Sequence, residues 1–392
     1  MNSFTYSSPT RMIFGKDALD HLGAELKAND AKKVLVLYGG GSTVKSGVLG
    51  NVTEKLKAAG ISYVEKGGVQ PNPILSFLYE CIDFAKAEKV DFILAVGGGS
   101  TIDTAKGISL ALMNPEDDVW DFYTRKKAPV HGRRIGCVLT IAAAGSENSD
   151  SSVITNTETK EKLGMNFEYN RPAFAVLNPE FTYTLPKYQV ACGVVDILMH
   201  TYDRYFTSEY NNDLTNELAE GLIRTVMKYG KTAVDCSTDY EAMSEIMWAG
   251  SVSHNGLTGL GAARDFSVHR LGRDLSAIYD CAHGATLSVS WVGFAYYTLA
   301  HDTGRFARYG RKVFGLEGDD ATVAKEAIDK TRDFFVSLNM PITLTELLGR
   351  EFTEQEVEEL ALACSANKTQ TFGCFYNFTY EDVKKLYASV RI

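Results

Sequence analysis

A carboxylate and an imidazole lie four positions apart in an apolar segment of the second half of the chain. The pattern around Asp196 and His200 predicts a helix, so the two side chains would share one helix face. This spacing provides half of a metal site. It also occurs in ordinary local hydrogen bonds and charge pairs, which is the better interpretation of the pair taken alone.

Two further histidines offer a way to complete such a site. On one unbroken helix, His269 and His283 would lie about 21 Å apart, too far to bind one ion. The segment from Tyr279 to Ala282 is a plausible break, and a helix–turn–helix there would let the imidazoles converge. One carboxylate and three imidazoles suit Fe²⁺ or Zn²⁺, and metal affinity alone does not choose between them. Of the other histidines, His254 is the candidate neighbour, because it ends a predicted helix near this site.

A glycine-rich turn in the first half predicts a different kind of site. The apolar run from Val90 to Val96 reads as a buried strand, and a helical pattern follows it to Met113. Between them lie Gly97, Gly98, Gly99 and Ser100. We expect Ser100 to cap the helix, whose first N–H groups would suit a phosphate. A glycine-rich turn without a ligand is an equally good interpretation of this motif alone.

A second turn of the same composition follows another predicted strand. Lys33–Tyr38 is apolar, and Gly39, Gly40, Gly41 and Ser42 come directly after it. Strands alternate with helices in this half, which is typical of a parallel sheet. Both glycine turns would then lie at the carboxyl ends of strands, where open α/β sheets bind ligands.

The pattern changes near Leu185–Lys187. We therefore predict an α/β dinucleotide-binding domain over residues 1–186 and an all-helical domain over residues 187–392. The predicted helices of the second domain are 189–207, 213–233, 239–256, 262–275, 284–301, 322–338 and 354–366.

Composition excludes several classes of partner. The chain has 392 residues, a formal net charge of −9 and a pI near 5.4, which argue against nucleic-acid or acidic-membrane binding. Its seven cysteines contain no CxxC pair and predict free thiols in a reducing cytoplasm. The most apolar stretch, residues 284–300, is too short and polar to span a bilayer.

Several short motifs together carry a family resemblance. They occur in one order along nearly the whole chain: 9–15, 38–42, 71–73, 97–106, 144–147, 178–186, 193–200, 269–272 and 283–284. In this order and spacing the chain resembles the iron-containing (group III) alcohol dehydrogenases, above all the NADPH-dependent butanol dehydrogenase and broad-range aldehyde reductase branch. The resemblance implies a dehydroquinate synthase-like architecture, with an N-terminal α/β dinucleotide domain and an all-α C-terminal domain.

The resemblance also implies roles for individual residues. Asp196, His200, His269 and His283 would bind the catalytic divalent metal, and Gly97, Gly98, Gly99 and Ser100 the cofactor pyrophosphate. Asp103 would lie near the nicotinamide ribose. The remaining cofactor candidates are Asn72, Thr140, Ala144, Asn148, Leu185 and Lys162, the last with Lys160 as an equal candidate by spacing.

Cofactor choice follows from the loop after Tyr38. NAD-preferring relatives tend to carry an acidic residue there, which would bind a ribose 2′-hydroxyl and repel a 2′-phosphate. Here the loop is Gly39, Gly40, Gly41 and Ser42, with Lys45 beyond it. Backbone N–H groups, a hydroxyl and a cation favour phosphate, so NADP(H) is predicted. The alternative is a permissive loop that accepts both cofactors.

The implied activity is hydride transfer between NADP(H) and a primary alcohol or aldehyde of the butanol/butanal type, in a homodimer. Two departures from the family pattern affect it: Ala144 lacks the threonine hydroxyl of many relatives, and Arg273 replaces a histidine considered as a proton relay. Two enzymatic alternatives on the same fold are a metal-dependent sugar-phosphate cyclase and a glycerol dehydrogenase-type enzyme. The non-catalytic alternative is a nucleotide- and metal-binding protein.

Overall fold

The chain folds into two compact units. A computed structural model describes residues 1–132 and 134–392. We call the first unit the sheet unit; it contains Ser7–Leu185 and Ser237–Ser251. The second, the helical unit, contains Met1–Tyr6, Pro186–Cys236 and Val252–Ile392.

The sheet unit is built on a six-stranded parallel sheet. The strands of this unit are β1 (Arg11–Phe14), β2 (Lys33–Tyr38), β3 (Ser62–Lys66), β4 (Phe92–Gly97), β5 (Ile135–Leu139), β6 (Ser151–Asn156), β7 (Glu161–Asn166) and β8 (Phe174–Leu177). The order in the sheet is β1-β8-β5-β4-β2-β3, while β6 and β7 form a separate antiparallel hairpin. Strand β4 lies between β5 and β2 and is buried at every position, which explains its continuous apolar run.

Helices flank the strands of this sheet in the chain. Those within the first 185 residues are α1 (Leu22–Ala28), α2 (Gly41–Lys45), α3 (Val48–Ala58), α4 (Leu75–Ala87), α5 (Gly99–Met113) and α6 (Val119–Tyr123). The buried side chains of α1 and α3 pack with those of β2 and β4 in one apolar core cluster. Apolar burial of this kind fixes the strand ends that carry the glycine turns.

The remaining helices of the described residues follow residue 186 in the chain, and most of them belong to the helical unit. They are α7 (Lys187–Tyr205), α8 (Asp213–Asp235), α9 (Tyr240–His254), α10 (Ser267–Tyr279), α11 (His283–Thr298), α12 (Thr303–Phe314), α13 (Asp320–Ser337), α14 (Leu344–Leu348), α15 (Glu354–Cys364) and α16 (Tyr380–Ser389). Most of α9 belongs to the sheet unit. Among the residues described, no helix is long and apolar enough to cross a bilayer.

The predicted fold class is confirmed: a parallel α/β unit is followed by a helical one. Two segments depart from a simple division after residue 186. Met1–Tyr6 joins the helical unit, where the Asn2 N–H donates to the Gly261 carbonyl. Ser237–Ser251 joins the sheet unit, where the Ser237 hydroxyl donates to the Tyr183 carbonyl.

The capping role expected of Ser100 is wrong. Helix α5 begins at Gly99 and its N-cap is Gly98, whose backbone is extended. Ser100 is therefore the second residue of the helix, and its carbonyl accepts a hydrogen bond from the Thr104 hydroxyl. The extended backbone of Gly98 is open to any residue, and it is the lack of room for a Cβ, 2.2 Å from Cγ2 of Ile141, that favours glycine here.

Candidate functional site

The carboxylate and imidazole on α7 lie together, as their spacing predicts. Asp196 and His200 are both buried, and Asp196 Oδ1 lies 3.5 Å from His200 Nε2. Fifteen of the nineteen residues of α7 are buried, so the helix runs through the core of its unit. Such a helix holds both side chains in fixed positions.

The predicted break between the other two histidines is confirmed. Helix α10 ends at Tyr279, Asp280 takes a left-handed conformation with φ of 50°, and α11 begins at His283. The turn brings both imidazoles to the same carboxylate oxygen of Asp196. The distance from Oδ1 is 3.6 Å to His269 Nε2 and 3.9 Å to His283 Nε2.

A glycine lets α11 approach α7 this closely. A Cβ atom built on Gly284 would lie only 2.3 Å from the carbonyl oxygen of Cys192, one turn before Asp196. Because the obstacle is backbone, it cannot move aside as the tip of a flexible side chain would. Gly284 therefore positions its neighbour, His283, against the helix that carries Asp196.

The donor set fits a divalent metal ion. Asp196 Oδ1 and His269 Nε2 are buried, and neither has a hydrogen-bond partner among the described residues. Leaving such atoms unsatisfied is costly unless another ligand pairs with them. Donors bound to one tetrahedral ion at about 2.1 Å lie about 3.4 Å apart, close to the distances seen here. Among the described residues, Asp196, His200 and His269 form a group whose ligand atoms all lie within 4.8 Å of one another.

Two neighbours complete the surroundings of these donors. The ring of His254 stacks on that of His200 with centroids 4.0 Å apart, which agrees with its predicted position near the site. Asp203 accepts a hydrogen bond from Nδ1 of His269 at 2.5 Å, and it is not among the site residues predicted from the sequence. Its signal was present, because Asp196, His200 and Asp203 follow helical spacing along one face of α7.

The surroundings shift the pKa values of His200 and His269 in opposite directions. Burial, together with the nearby rings of His254 and His269, lowers the pKa of His200 well below its usual value. Burial also acts against charging His269, but the nearby carboxylates of Asp196 and Asp203 outweigh it and raise the pKa of His269 to about 9. A neutral His200 offers its lone pair to a metal.

The first glycine turn has little room for side chains. A Cβ on Gly98 would lie 2.2 Å from Cγ2 of Ile141, and one on Gly97 would lie 2.4 Å from Oγ1 of Thr101. Gly99 is more open, since a Cβ there would meet only Cβ of Ser146, at 3.9 Å. The first N–H groups of α5 start at this point, and such groups suit a phosphate.

A buried ion pair lies behind this turn, within α5. Lys106 is fully buried and donates to the carbonyls of Ser146 and Ser151 and to the Ser146 hydroxyl. Asp103 accepts from the Ser146 hydroxyl and from the Val153 N–H. Burial raises the pKa of Asp103 and lowers that of Lys106, while each charge opposes the shift of the other. The hydrogen bonds of Asp103 thus run to the 146–153 segment, so it anchors that segment.

The structure brings together one pair of the remaining cofactor candidates. Lys162 on β7 donates to Oδ1 of Asn72 at 2.8 Å, whereas Lys160 is exposed in the hairpin turn. This contact favours Lys162 over Lys160 as the candidate. The side chain of Asn148 is buried, and its Oδ1 accepts from the Ser8 hydroxyl.

The other candidates are spread along loop ends of the sheet unit. Thr140 follows β5 and its N–H donates to the Gly97 carbonyl, Ala144 is half-buried, and Leu185 is the last residue of the unit's first segment. The second glycine turn leads into α2, with Gly40 as N-cap. The Gly39 carbonyl accepts a hydrogen bond from the N–H of Gly68.

The arginines near α10 are engaged with protein groups. Arg270 donates to the Cys364 carbonyl and to Gln370, and its guanidinium lies 4.4 Å from the centroid of the Phe372 ring. Arg273 donates to the carboxylate of Asp274. These contacts give no support to a cluster of cations for a substrate phosphate, which a sugar-phosphate cyclase would need.

Family models match both halves of the chain. The model described as iron-containing alcohol dehydrogenase matches residues 9–179, and the one described as Fe-containing alcohol dehydrogenase family, C-terminal, matches residues 190–390. The chain belongs to the iron-containing alcohol dehydrogenase family. The predicted resemblance is thereby confirmed, and a role in alcohol or aldehyde oxidoreduction follows from it.

Curated and structural relatives of this iron-containing alcohol dehydrogenase agree with one another. NADH-dependent butanol dehydrogenase A of Clostridium acetobutylicum is 38% identical over 391 residues, 99% of each chain. NADPH-dependent aldehyde reductase YqhD of Escherichia coli is 38% identical over 351 residues, 88% of this chain and 89% of that protein. The crystal structure of NADH-dependent butanol dehydrogenase A from Thermotoga maritima has a TM-score of 0.95 at 33% identity, and covers 100% of this chain and 99% of that one.

Proposed function

We propose that this chain is a metal-dependent enzyme that transfers hydride between NADP(H) and a small primary alcohol or its aldehyde, of the butanol/butanal type. The observation that carries the proposal is the convergence of three imidazole Nε2 atoms on Asp196 Oδ1, at 3.5, 3.6 and 3.9 Å. Asp196, His200, His269 and His283 would hold Fe²⁺ or Zn²⁺. Such an ion supplies Lewis-acid polarisation of a carbonyl oxygen, and the nicotinamide supplies the hydride.

The protein's own share is positioning. The buried α7 fixes Asp196 and His200, and the turn at Asp280 delivers His269 and His283 to the same place. The carboxylate of Asp196 and the neutral imidazole of His200 present lone pairs without any need to rearrange first, and His269 releases its Nε2 proton when a metal binds. This preorganisation favours binding of a metal and of a substrate oxygen beside it.

In the sheet unit we assign the cofactor pyrophosphate to Gly97–Ser100 at the start of α5. The Lys106–Asp103 pair supports this assignment, because it fixes α5 to the segment around Ser146. Lys162 and Asn72 would hydrogen-bond a ribose hydroxyl, since they already lie 2.8 Å apart and carry complementary donors and acceptors.

Preference for NADP(H) is supported by the second glycine turn. Residues 39–42 carry no carboxylate, and the hydroxyl of Ser42 and the ammonium of Lys45 are exposed. These groups attract a 2′-phosphate, whereas a carboxylate would repel it. The names of the relatives include both cofactors, so the chemistry of the loop carries this part of the proposal.

Arg273 limits the choice of proton carrier. A guanidinium carries only N–H donors, and that of Arg273 is hydrogen-bonded to Asp274, so this side chain does not replace a histidine base. We therefore assign no histidine relay at this position. The homodimer and the cytoplasmic location remain predictions, and light scattering of the purified protein tests the first of them.

The test is oxidation of reduced nicotinamide by butanal, measured by absorbance with protein reconstituted with Fe²⁺ or Zn²⁺. We expect turnover with either metal-loaded form, loss of turnover after chelation, and a higher kcat/KM for NADPH than for NADH. Metal-loaded protein that oxidises neither cofactor with any aldehyde of a panel would refute the dehydrogenase function. A higher kcat/KM for NADH would overturn only the cofactor assignment.

A further inference from the structure

The imidazole of His269 is held from behind by a buried carboxylate. Asp203 is 2% exposed, and its Oδ2 lies 2.5 Å from Nδ1 of His269. The same oxygen lies 3.3 Å from the backbone nitrogen of His269. Two groups of one residue therefore converge on a single carboxylate oxygen.

This contact fixes which ring nitrogen faces the candidate metal centre. A carboxylate oxygen only accepts hydrogen bonds, so Nδ1 of His269 carries the proton and donates it to Asp203. In the neutral ring that binds a metal, Nε2 is then the nitrogen with the lone pair, and it lies 3.6 Å from Asp196 Oδ1. A carboxylate behind a metal-binding histidine also makes the ring a stronger ligand.

Asp203 also fixes the start of the helix that carries His269. His269 is the third residue of α10, where backbone N–H groups lack acceptors within the helix. Its N–H finds one in Asp203, and the N–H of Asp265, just before α10, donates to the Asp203 carbonyl at 2.8 Å. Both the ring and the backbone of His269 are thereby tied to α7, which also carries Asp196 and His200.

We propose that Asp203 is a positioning residue of the metal centre, which orients His269 Nε2 toward Asp196 and strengthens it as a ligand. The inference rests on the metal site of the proposed function. Asp203 lies seven residues after Asp196, so Asp196, His200 and Asp203 share one face of α7. All three would then serve the metal site.

The test measures metal binding rather than turnover. Zn²⁺ and Co²⁺ are titrated into metal-free wild type, Asp203→Asn and Asp203→Ala. We expect the dissociation constant to rise on the order of 10- to 100-fold for Asp203→Ala. Asp203→Asn should give a smaller rise in the same direction, because its amide oxygen still accepts from Nδ1 but carries no charge. The visible spectrum of bound Co²⁺ should change in both variants.

A neighbouring carboxylate provides a matched control. Asp265 is also buried beside the start of α10, but it accepts from the backbone N–H groups of Ser267, Cys374 and Phe375. Asp265→Asn should lower the melting temperature of the metal-free protein and leave the metal dissociation constant and the Co²⁺ spectrum unchanged.

The outcomes distinguish a failure of the metal site itself from a failure of the role proposed for Asp203. Wild type that binds no metal would refute the metal site itself. If wild type binds metal and Asp203→Asn and Asp203→Ala bind it within twofold of wild type, Asp203 is only a helix cap and the inference is wrong. Should Asp203→Ala fail to fold, Asp203→Asn, which preserves shape, decides by its affinity and its Co²⁺ spectrum.

Discussion

The candidate metal centre and the Lys106–Asp103 pair behind the first glycine turn differ in how their polar atoms are satisfied. In the helical unit, Asp196 Oδ1 and His269 Nε2 lie 3.6 Å apart, and neither has a hydrogen-bond partner among the residues described. In the sheet unit, the buried Lys106 and the partly buried Asp103 both have hydrogen-bond partners in the protein. The donor atoms of the first region are therefore available to a ligand, whereas the charged side chains of the second are already hydrogen-bonded within the protein.

This difference shows what each site asks of the sequence. A metal centre needs particular donor atoms, so the proposed one depends on residue types: one aspartate and three histidines. A pyrophosphate site needs backbone N–H groups and room, so the proposed one depends on the absence of side chains at Gly97, Gly98 and Gly99. Five substitutions, from the largest expected effect to the smallest, distinguish the two kinds of site.

Removing a metal ligand should abolish metal binding in the helical unit and leave nucleotide binding in the sheet unit unchanged. His269→Ala should abolish metal retention and lower aldehyde turnover on the order of 10³-fold or more, because Lewis-acid catalysis contributes several kcal/mol. The dissociation constant for NADPH should change little. His301→Ala is the control, since His301 is exposed and packs on Phe375 and Tyr376. Full activity in His269→Ala would refute the ligand assignment.

Removing the buried cation should damage the sheet unit instead. Lys106→Met leaves Asp103 without its counter-charge and three acceptors without a donor, so the free energy of unfolding should fall by about 3 kcal/mol. Denaturant unfolding measures this change, and the metal dissociation constant should stay at its wild-type value. Adding Asp103→Asn should recover part of the loss. A double variant no more stable than Lys106→Met would argue against the ion pair as the cause.

Two adjacent glycines distinguish packing from ligand contact. Gly98→Ala would place a Cβ 2.2 Å from Ile141 and should cost about 1–3 kcal/mol in stability. Gly99→Ala meets only an ordinary contact at 3.9 Å, so its stability should hold while the affinity for NADPH falls. Unchanged nucleotide affinity in Gly99→Ala, measured by fluorescence titration, would remove this turn from the cofactor site.

A charge in the second turn should shift cofactor choice. Gly39→Asp should lower kcat/KM for NADPH about tenfold more than for NADH, because a carboxylate repels a 2′-phosphate and accepts from a 2′-hydroxyl. A Cβ at this position has its nearest neighbour, the Val69 carbonyl, at 3.4 Å and therefore fits. Gly39→Asn has nearly the same size without the charge. Equal effects on both cofactors, or the same shift in Gly39→Asn, would contradict the argument.

Much of this architecture was predictable because it follows local patterns. The apolar runs of β2 and β4 and the spacing of Asp196 and His200 are readable in short windows. The break before His283 was predictable only because His269 and His283 could not bind one ion from a single unbroken helix. Hairpin strand β7 was missed because Glu161–Asn166 is largely polar and only one of its six residues is buried. The carboxylate behind His269 was missed because the contact joins residues 66 positions apart.

The close approach at Gly284 has a consequence for how this metal centre tolerates mutation. Gly284 contributes no functional group, yet a single added methyl would meet the carbonyl oxygen, Cα and carbonyl carbon of Cys192 at 2.3, 2.5 and 2.7 Å. The backbone of α7 would have to yield, and with it the segment that leads to Asp196. Gly284 has no side chain that could bind a ligand, yet we expect even its substitution by alanine to disturb the candidate metal centre.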